Sequence, residues 1–265
     1  MNEILNLPDN ISSMIRGKEY TVNEVGMSKA RIMVFDDSVL KIEKKSKQND
    51  EMVQVMRWLE GKLPVPKVLC YEQDEESQYI LMSKVRGKMS CSQEFMSQPE
   101  LMTRRLADAL KMLWSLDISD CPRVRNLDDE LAAARYRVEN NLIDMENVEP
   151  NTFGPNGFKD PEELLCWLED NKPEVEPVFS HGDFCLPNIF FDDKGISGFI
   201  DLGDSGIGDK WKDIALCYRS LRWNAEGVYG GNVYPDIKSM KLFEELGIEP
   251  DMEKIRYHIL LDELF

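Results

Sequence analysis

The stretch His181-Gly182-Asp183-Phe184-Cys185-Leu186-Pro187-Asn188 decides the fold, together with Gly198-Phe199-Ile200-Asp201-Leu202-Gly203. An Asn follows the first Asp by five residues, and a second Asp follows the Asn by thirteen. Short apolar runs beside both stretches predict strands, with the three oxygen-bearing side chains at their ends. Phosphoryl transfer from a nucleotide needs one carboxylate that orients an acceptor hydroxyl, and an amide and a carboxylate that hold Mg²⁺ against the phosphates. The spacing therefore predicts this chemistry, with Asp183 at the hydroxyl, Asn188 and Asp201 at the metal, and His181 as a structural hydrogen-bonding residue.

The composition narrows the classes of partner. The 265 residues carry a formal net charge of −17, which disfavours nucleic-acid binding and favours cationic small molecules. The sequence has no apolar run of about 18 residues and no signal-like N-terminus, so we expect no membrane span and no secretion. Six widely spaced cysteines without a Cys-x-x-Cys pair predict buried free thiols in a reducing cytoplasm.

The order of predicted elements favours an α+β fold with two lobes. The first part reads as strands with one helix, and the remainder reads as mainly helical. We place the boundary at residues 1–84 and 85–265 and expect the ligand site in the cleft between the lobes. The predicted strands are Tyr20–Val25, Ala30–Phe35, Val39–Ile42, Lys67–Glu72 and Tyr79–Ser83, with a helix at about Asp50–Leu59. The later predicted helices are Glu100–Leu116, Leu127–Leu142, Pro161–Leu168, Asp209–Leu221 and Asp251–Leu264.

Lys41 is the main candidate for a phosphate ligand. It interrupts the apolar run Val39-Leu40-Lys41-Ile42, where an unpaired charge is costly, and a nucleotide phosphate would pair with it. Its expected acidic partner is Glu51, with Asp50 as the competitor. The turn Gly26-Met27-Ser28 could fold over phosphates, but by itself it also fits an ordinary hairpin turn.

Beyond these patterns, the chain resembles the aminoglycoside phosphotransferases, which have a protein-kinase-like fold. It is most similar to the 3′-phosphotransferases that inactivate kanamycin and neomycin. The matching stretches cover nearly the whole chain: Trp58–Leu69, Asp117–Pro122, Phe158–Pro161, the two stretches quoted first, Asp209–Trp211, Asp213–Ala215 and Leu260–Phe265.

The resemblance assigns roles to individual residues. It implies ATP or GTP as phosphoryl donor with Mg²⁺, Asp183 as the catalytic aspartate, and Asn188 and Asp201 as metal ligands. The residues it implies on the nucleotide side are Lys41, Glu51, Met27 and Ser28 in the phosphate-covering loop, Ser83 and Val85 at the adenine hinge, and Phe190 and Ile200 beneath the base. The residues it implies for the cationic antibiotic are Asp262, Glu263, the carboxylate of Phe265, Arg219, Glu146 and Glu149.

Several positions depart from the family pattern. Val39 stands where a relative has an adenine-stacking aromatic residue, and Asp204 stands where an arginine usually follows Asp-Leu-Gly. Trp223 and Asn224 replace an acidic pair that contacts the antibiotic in a relative. These differences leave the predicted phosphotransfer residues intact and open the question of substrate range.

Three functions therefore remain open from the sequence. The first is 3′-phosphorylation of aminoglycosides, which would confer resistance. The second is a small-molecule kinase of the same fold acting on another amino-alcohol or sugar. The third is a nucleotide-binding pseudokinase, which the presence of Lys41, Asp183, Asn188 and Asp201 disfavours.

Overall fold

A five-stranded antiparallel sheet forms the first part of the chain. The computed structural model describes residues 7–23, 30–146 and 148–265. The sheet has the order β1-β2-β3-β5-β4. Its strands are β1 (Thr21–Asn23), β2 (Arg31–Val34), β3 (Ser38–Lys44), β4 (Val68–Gln73) and β5 (Ser77–Ser83). The predicted strands are thus confirmed, while Met27 and Ser28 of the predicted turn lie outside the described residues.

Two helices, rather than the single predicted one, accompany this sheet. Helix α1 spans Asp9–Ile15 and buries Ile11 against the sheet. Helix α2 spans Lys47–Leu59 and begins earlier than predicted, because the Ser46 side chain caps it by accepting a hydrogen bond from the Asn49 N–H at 3.2 Å.

The remainder is mainly helical and contains two small sheets. Its helices are α3 (Gln93–Met96), α4 (Pro99–Trp114), α5 (Leu127–Glu139), α6 (Pro161–Asp170), α7 (Lys210–Glu226), α8 (Lys241–Leu246) and α9 (Met252–Asp262). Its strands are β6 (Lys88–Met89), β7 (Pro177–Ser180), β8 (Ile189–Asp192), β9 (Gly195–Phe199) and β10 (Gly206–Asp209). The sheets have the orders β10-β7 and β6-β8-β9, and a 3₁₀ turn at Leu186–Asn188 precedes β8. The quoted stretches therefore lie in a strand–loop–strand arrangement, as predicted.

The largest hydrophobic cluster crosses the predicted lobe boundary. It joins Met52 and Leu59 of α2 to Leu110 of α4 and Ile214 of α7, all of them buried. A separate cluster lies between α1 and the first sheet, and another lies between α5, α6 and α9. The site described below therefore rests on packing shared by both parts of the chain, and the boundary at 84/85 remains a prediction.

The cysteines agree only partly with expectation. All six are free, but only Cys217 is buried, and Cys166 is exposed. Burial raises the pKa of the Cys217 thiol above its usual range. None of the described helices is long and apolar enough to cross a membrane.

Candidate active site

The loop after β7 holds Asp183 in a fixed position. The Asn188 side-chain amide donates hydrogen bonds to the Asp183 carboxylate Oδ2 at 2.8 Å and to the Asp183 backbone carbonyl at 3.0 Å. These bonds occupy the Nδ2 atom and leave the Asn188 Oδ1 atom directed elsewhere. Asp183 itself is half-buried, so a substrate hydroxyl can reach its carboxylate. Asn188 therefore fixes the orientation of the Asp183 carboxylate, a contact that the sequence analysis did not predict.

A buried carboxylate on α7 anchors this loop from below. Asp213 accepts hydrogen bonds from the Ser180 hydroxyl at 3.0 Å, the His181 N–H at 2.8 Å and the Gly182 N–H at 2.9 Å. Because Asp213 is fully buried, desolvation raises its pKa against the opposing effects of His181 and these hydrogen bonds. The strand β7 and the helix α7 therefore fix the entry of the catalytic loop together.

His181 is structural, as expected. Its ring is fully buried, and its Nε2 atom lies 2.9 Å from the Ile200 carbonyl oxygen. Since a carbonyl can only accept, Nε2 carries the proton and Nδ1 accepts the Asp183 N–H at 3.3 Å. The imidazole thus joins the Asp183 loop to the end of β9.

The same neighbourhood brings the two predicted metal ligands together. The Ile200 N–H donates to the Asn188 carbonyl at 2.9 Å, which places Asp201 directly after this contact. Asp201 is exposed and has a left-handed φ of 58°, which turns its side chain out of the strand direction. Within the described residues, no side chain bonds to its carboxylate. An amide oxygen and a free carboxylate are hard oxygen donors, so the pair fits Mg²⁺ with phosphate oxygens completing the shell.

On the nucleotide side, Lys41 has a different partner from the predicted one. Its Nζ atom lies 3.2 Å from Glu43 Oε2, two residues along the same strand and therefore on the same face. Glu51 instead pairs with Lys47 at 3.1 Å and with Arg123 at 3.3 Å. The predicted Lys41–Glu51 pair is wrong in this structure, because α2 begins at Lys47 and directs Glu51 toward the 123–125 segment. Asp50 does not compete either, since it accepts hydrogen bonds from the Tyr71 hydroxyl and the Gln73 amide.

The predicted adenine-binding segment connects the first sheet to β8 and β9. Ser83 ends β5, pairs with Ser38, and exchanges hydrogen bonds with Lys67 at 2.9 Å. Val85 packs so closely on Gly198 that a Cβ at Gly198 would lie 2.2 Å from its Cγ1 atom. Phe190 pairs with Gly198 across the β8–β9 ladder, and Ile200 follows β9. Val85 and Phe190 thus lie beside Gly198, and Ile200 lies two residues after it, while their role in binding the base stays a prediction.

A group of charges lies close to the loop of Asp183, because Cys185, two residues later, interacts electrostatically with Asp183, Arg219 and Asp262. We call this group the acceptor cluster: Glu149, Arg219, Asp262 and Glu263. Arg219 forms ion pairs with Asp262 and, at 3.4 Å, with Glu263. The Glu263 carboxylate also accepts the Glu149 N–H at 2.7 Å, and Glu149 lies 3.7 Å from Arg222. The structure therefore brings together four of the residues predicted for the antibiotic.

Burial raises the pKa of two carboxylates of this cluster, Glu149 and Glu263. Desolvation raises the pKa of Glu263 to about 7, although the Glu149 N–H and Arg219 lower it. Desolvation also raises the pKa of Glu149 against the lowering effects of Arg219 and Arg222. A bound cation would reverse both shifts by stabilising the ionised forms.

The other two predicted acceptor residues lie outside the cluster. Glu146 is exposed, and its side chain forms no ion pair within the described residues. Phe265 is 47 % exposed, and its carbonyl oxygen and ring lie against the Arg137 guanidinium, which also donates to the Leu264 carbonyl at 2.9 Å. The structure thus brings four of the six predicted residues together, and the assignment of all six to the antibiotic stays a prediction.

Asp204, the reversed charge in the motif, has a local counterion. Its Oδ1 atom lies 2.8 Å from an Arg125 nitrogen and accepts the Gln48 amide at 3.0 Å. The neighbouring Arg123 donates to the Gly203 carbonyl at 2.7 Å. These contacts tie α2 to the loop after Asp201, and they neutralise Asp204 without using the acceptor cluster.

The sequence reasoning missed two residues of functional interest. Asp213 was noticed only as part of a matching stretch, although an acidic residue within an apolar helix face is a signal for a buried anchor. Tyr229 gave no signal, since a single aromatic residue in a glycine-rich turn, here between Gly227 and Gly230, is usually exposed to solvent.

Comparison with known proteins agrees with this geometry. Residues 21–242 match the model of a phosphotransferase enzyme family. An aminoglycoside 3′-phosphotransferase of Enterococcus faecalis is 47 % identical over 215 residues, covering 80 % of this chain and 76 % of its own length. One from Niallia circulans is 33 % identical over the full length of both chains.

Solved structures confirm the protein-kinase-like fold predicted from the sequence. An aminoglycoside 3′-phosphotransferase of type VIII superimposes with a TM-score of 0.79 at 25 % identity, covering 97 % of each chain. An aminoglycoside phosphotransferase from Streptomyces rimosus, solved in complex with ADP and streptomycin, has the same TM-score at 22 % identity and covers 96 % of this chain and 95 % of its own. With a family match over most of its length and a relative 33 % identical from end to end, this chain belongs to the phosphotransferase enzyme family.

Proposed function

We propose that this protein transfers the γ-phosphoryl group of ATP or GTP to the 3′-hydroxyl of aminoglycoside antibiotics of the kanamycin and neomycin type, and so confers resistance. The observation that carries this proposal is that Asp183 is held by Asn188 and lies near the acceptor cluster, since Cys185, two residues later, interacts electrostatically with Asp183, Arg219 and Asp262. Its curated relatives from several bacteria are aminoglycoside 3′-phosphotransferases, which supports the regiochemistry.

Each group has a defined task in this reaction. Asp183 orients the acceptor hydroxyl and accepts its proton, while the Asn188 amide holds the carboxylate in place. Lys41 neutralises charge on the nucleotide phosphates. Asn188 Oδ1 and Asp201 would hold Mg²⁺, which would supply positive charge against the phosphates. Little covalent chemistry is asked of the side chains, so the rate depends chiefly on positioning.

The remaining assignments complete the nucleotide site. Ser83 to Val85 form the hinge against which the base binds, with Phe190 and Ile200 beneath it. Met27 and Ser28 contact the phosphates, and Glu51 positions α2 through Arg123 rather than through Lys41. The two lobes are residues 1–84 and 85–265, and the protein acts in the cytoplasm, where nucleotide is available.

The acceptor cluster selects the substrate. Three carboxylates face the two guanidinium groups of Arg219 and Arg222, so a polycationic sugar finds an excess of negative charge. Amino groups of the antibiotic ion-pair with these carboxylates and bring one ring hydroxyl to Asp183.

Turnover with kanamycin, compared with its 3′-deoxy analogue, tests the proposal. We expect phosphorylation of kanamycin and none of the analogue, and an Asp183→Ala variant should lose about 10²–10⁴-fold in kcat. Asp193→Ala, which changes an exposed aspartate in the β8–β9 turn, is the matched control and should keep full activity. Equal turnover of both antibiotics would exclude the 3′-hydroxyl. Turnover of neither, with another amino-alcohol accepted, would favour the small-molecule kinase.

A further inference from the structure

Two aromatic side chains continue the acceptor cluster. Trp223 lies four residues after Arg219 on α7 and therefore on the same helix face. The Arg219 guanidinium carbon lies 5.5 Å from the Trp223 ring centroid, and the Tyr229 ring follows at 5.6 Å with an interplanar angle of 63°. Asp262, Arg219, Trp223 and Tyr229 thus form one uninterrupted row.

Asn224, the neighbour of Trp223, has a different task. Its side-chain amide donates to the Ser220 carbonyl at 2.8 Å, and the Ser220 hydroxyl accepts the Leu186 N–H of the catalytic loop at 3.0 Å. Of the two residues that depart from the family pattern here, Asn224 supports the catalytic loop. Trp223 is the one that remains available to the acceptor side.

The turn after α7 fixes the position of Tyr229. Gly227 adopts a left-handed φ of 74° at the helix end, and the Val228 N–H donates to the Trp223 carbonyl at 3.0 Å. This Schellman-type end returns the chain toward Trp223 and brings the two rings into contact. Tyr229 is therefore held by the backbone rather than by its side chain.

The surroundings of Tyr229 place it beside the reaction site. Its pKa is raised to about 12, first by desolvation and then by Cys185, Asp262 and Glu149, while Arg219 lowers it. Cys185 lies two residues after Asp183. The ring nevertheless keeps 61 % of its surface exposed, so it offers an open aromatic face beside an excess of carboxylates.

Aromatic faces and carboxylates bind complementary parts of an amino sugar. An ammonium group is attracted to the face of Trp or Tyr, and the C–H groups of a saturated ring bury apolar surface on it. The contacts of Arg219 with Asp262 and with the Trp223 ring join these aromatic faces to the acceptor cluster. The geometry points to Trp223 and Tyr229 as an aromatic wall of the acceptor site that binds an ammonium-bearing saturated ring of the substrate.

This inference rests on the proposed function, since it names the part of the aminoglycoside that these side chains bind. It also explains why the replacement of an acidic pair at Trp223 and Asn224 is compatible with a cationic acceptor. Cation–π attraction at Trp223 stabilises a bound ammonium group, as an ion pair with a carboxylate would. It adds no charge to the cluster.

The test measures binding and turnover separately in the full chain. Tyr229→Leu and Trp223→Leu remove the rings, while Tyr229→Phe keeps a ring without the hydroxyl. Kd for the 3′-deoxy analogue of kanamycin is measured by calorimetry with ADP and Mg²⁺, and KM and kcat are measured with kanamycin and ATP. Tyr136→Leu is the matched control, because Tyr136 is 62 % exposed on α5 and belongs to neither the row nor the acceptor cluster. Thermal unfolding of each variant confirms that it is folded.

We expect Tyr229→Leu and Trp223→Leu to raise KM and Kd about five- to tenfold each, with kcat changed less than about twofold. Tyr229→Phe should restore wild-type values, which a purely structural role of the hydroxyl would not allow. Unchanged KM and Kd in both leucine variants would contradict the proposed aromatic wall but not the proposed function. Ring-dependent binding of the analogue without turnover of kanamycin would keep the wall and reject 3′-phosphorylation. If wild-type protein neither binds nor phosphorylates, both are rejected.

Discussion

The catalytic loop and the acceptor cluster lie side by side but differ in how completely their charges are satisfied. In the loop, Asp213 accepts three hydrogen bonds and Asn188 holds Asp183 through two. In the cluster, Glu263 has a pKa raised to about 7, and Glu149 Oε1 is buried with no hydrogen-bond donor among the described residues.

This difference separates the two parts of the reaction. The loop is fully organised by the protein itself, as expected for groups that must be preorganised for the transition state. In the cluster, the three carboxylates outnumber the two guanidinium groups that face them, and a bound polycation would balance this charge. The proposed function therefore assigns chemistry and substrate choice to different residues, and the following changes should separate them.

Removing the anchor of the loop should have the largest effect. Asp213→Ala leaves two buried donors, the Ser180 hydroxyl and the His181 N–H, without an acceptor, while the Gly182 N–H still donates to the Ser180 hydroxyl at 3.1 Å. Each orphaned donor costs about 1–3 kcal/mol, so unfolding should become easier by roughly 2–6 kcal/mol. The loop would also lose its geometry, so kcat should fall at least about 100-fold. Urea unfolding and steady-state kinetics measure both effects.

A conservative replacement serves as the control for the anchor. Asp213→Asn keeps one acceptor oxygen but turns an amide toward an N–H, so its loss should be intermediate. If Asp213→Ala kept wild-type kcat while losing stability, the loop would not depend on this carboxylate for its catalytic geometry.

The raised pKa of Glu263 predicts a pH-dependent stability. Its folded pKa of about 7 lies above the ordinary value of 4.5, so the folded state binds the proton more tightly. Stability from this group is therefore full below about pH 4.5 and is lost as the pH rises through 7. Glu263→Gln should remove this dependence and stabilise the protein by about 2–3 kcal/mol at pH 8.

The same variant should behave oppositely toward the substrate. At pH 8 it lacks one carboxylate, so KM for kanamycin should rise while kcat stays close to wild type. The comparison requires denaturation curves at pH 5 and pH 8 in both proteins. Parallel loss of stability with pH in wild type and variant would show that another group titrates there.

The pair of Asp204 and Arg125 should give the smallest effect. The two side chains are 41 % and 25 % exposed, so a double-mutant cycle with Asp204→Ala and Arg125→Ala should yield a coupling of about 0.5–1 kcal/mol. Because Arg125 neutralises Asp204, KM for the antibiotic should change less than about twofold. A tenfold change in KM would instead place Asp204 in the acceptor site.

The sequence predicts the relative positions of candidate site residues that lie close together in the chain. Asp183, Asn188 and Asp201 come from one short stretch and a neighbouring strand, so their relative positions follow from the strand–loop–strand pattern. The partner of Lys41 was predicted wrongly. Both Glu43 and Glu51 are nearby acidic residues, and only the structure shows that Glu43 of β3, rather than Glu51 of α2, lies beside Lys41. No local feature of the sequence indicates that Arg123, about 70 residues later, forms an ion pair with Glu51.

The fold shows the same limit. Long periodic helices such as α4 and strands bounded by turn residues were found within a few residues of their ends. Short elements such as α1 and α8 were missed, since seven and six residues give too few turns to establish a period. Their existence depends on packing against the sheet and against α4.

The exposed ring of Tyr229 has a consequence for how such a protein adapts to new drugs. A substitution at a position that is 61 % exposed disturbs little packing, so most replacements leave the folded protein abundant in the cell. Changes at buried Asp213 would be eliminated before their activity mattered. Bacterial populations exposed to successive antibiotics can therefore acquire single mutations at Tyr229. We expect such mutations to change which antibiotics are inactivated, while the residues proposed for phosphoryl transfer stay the same.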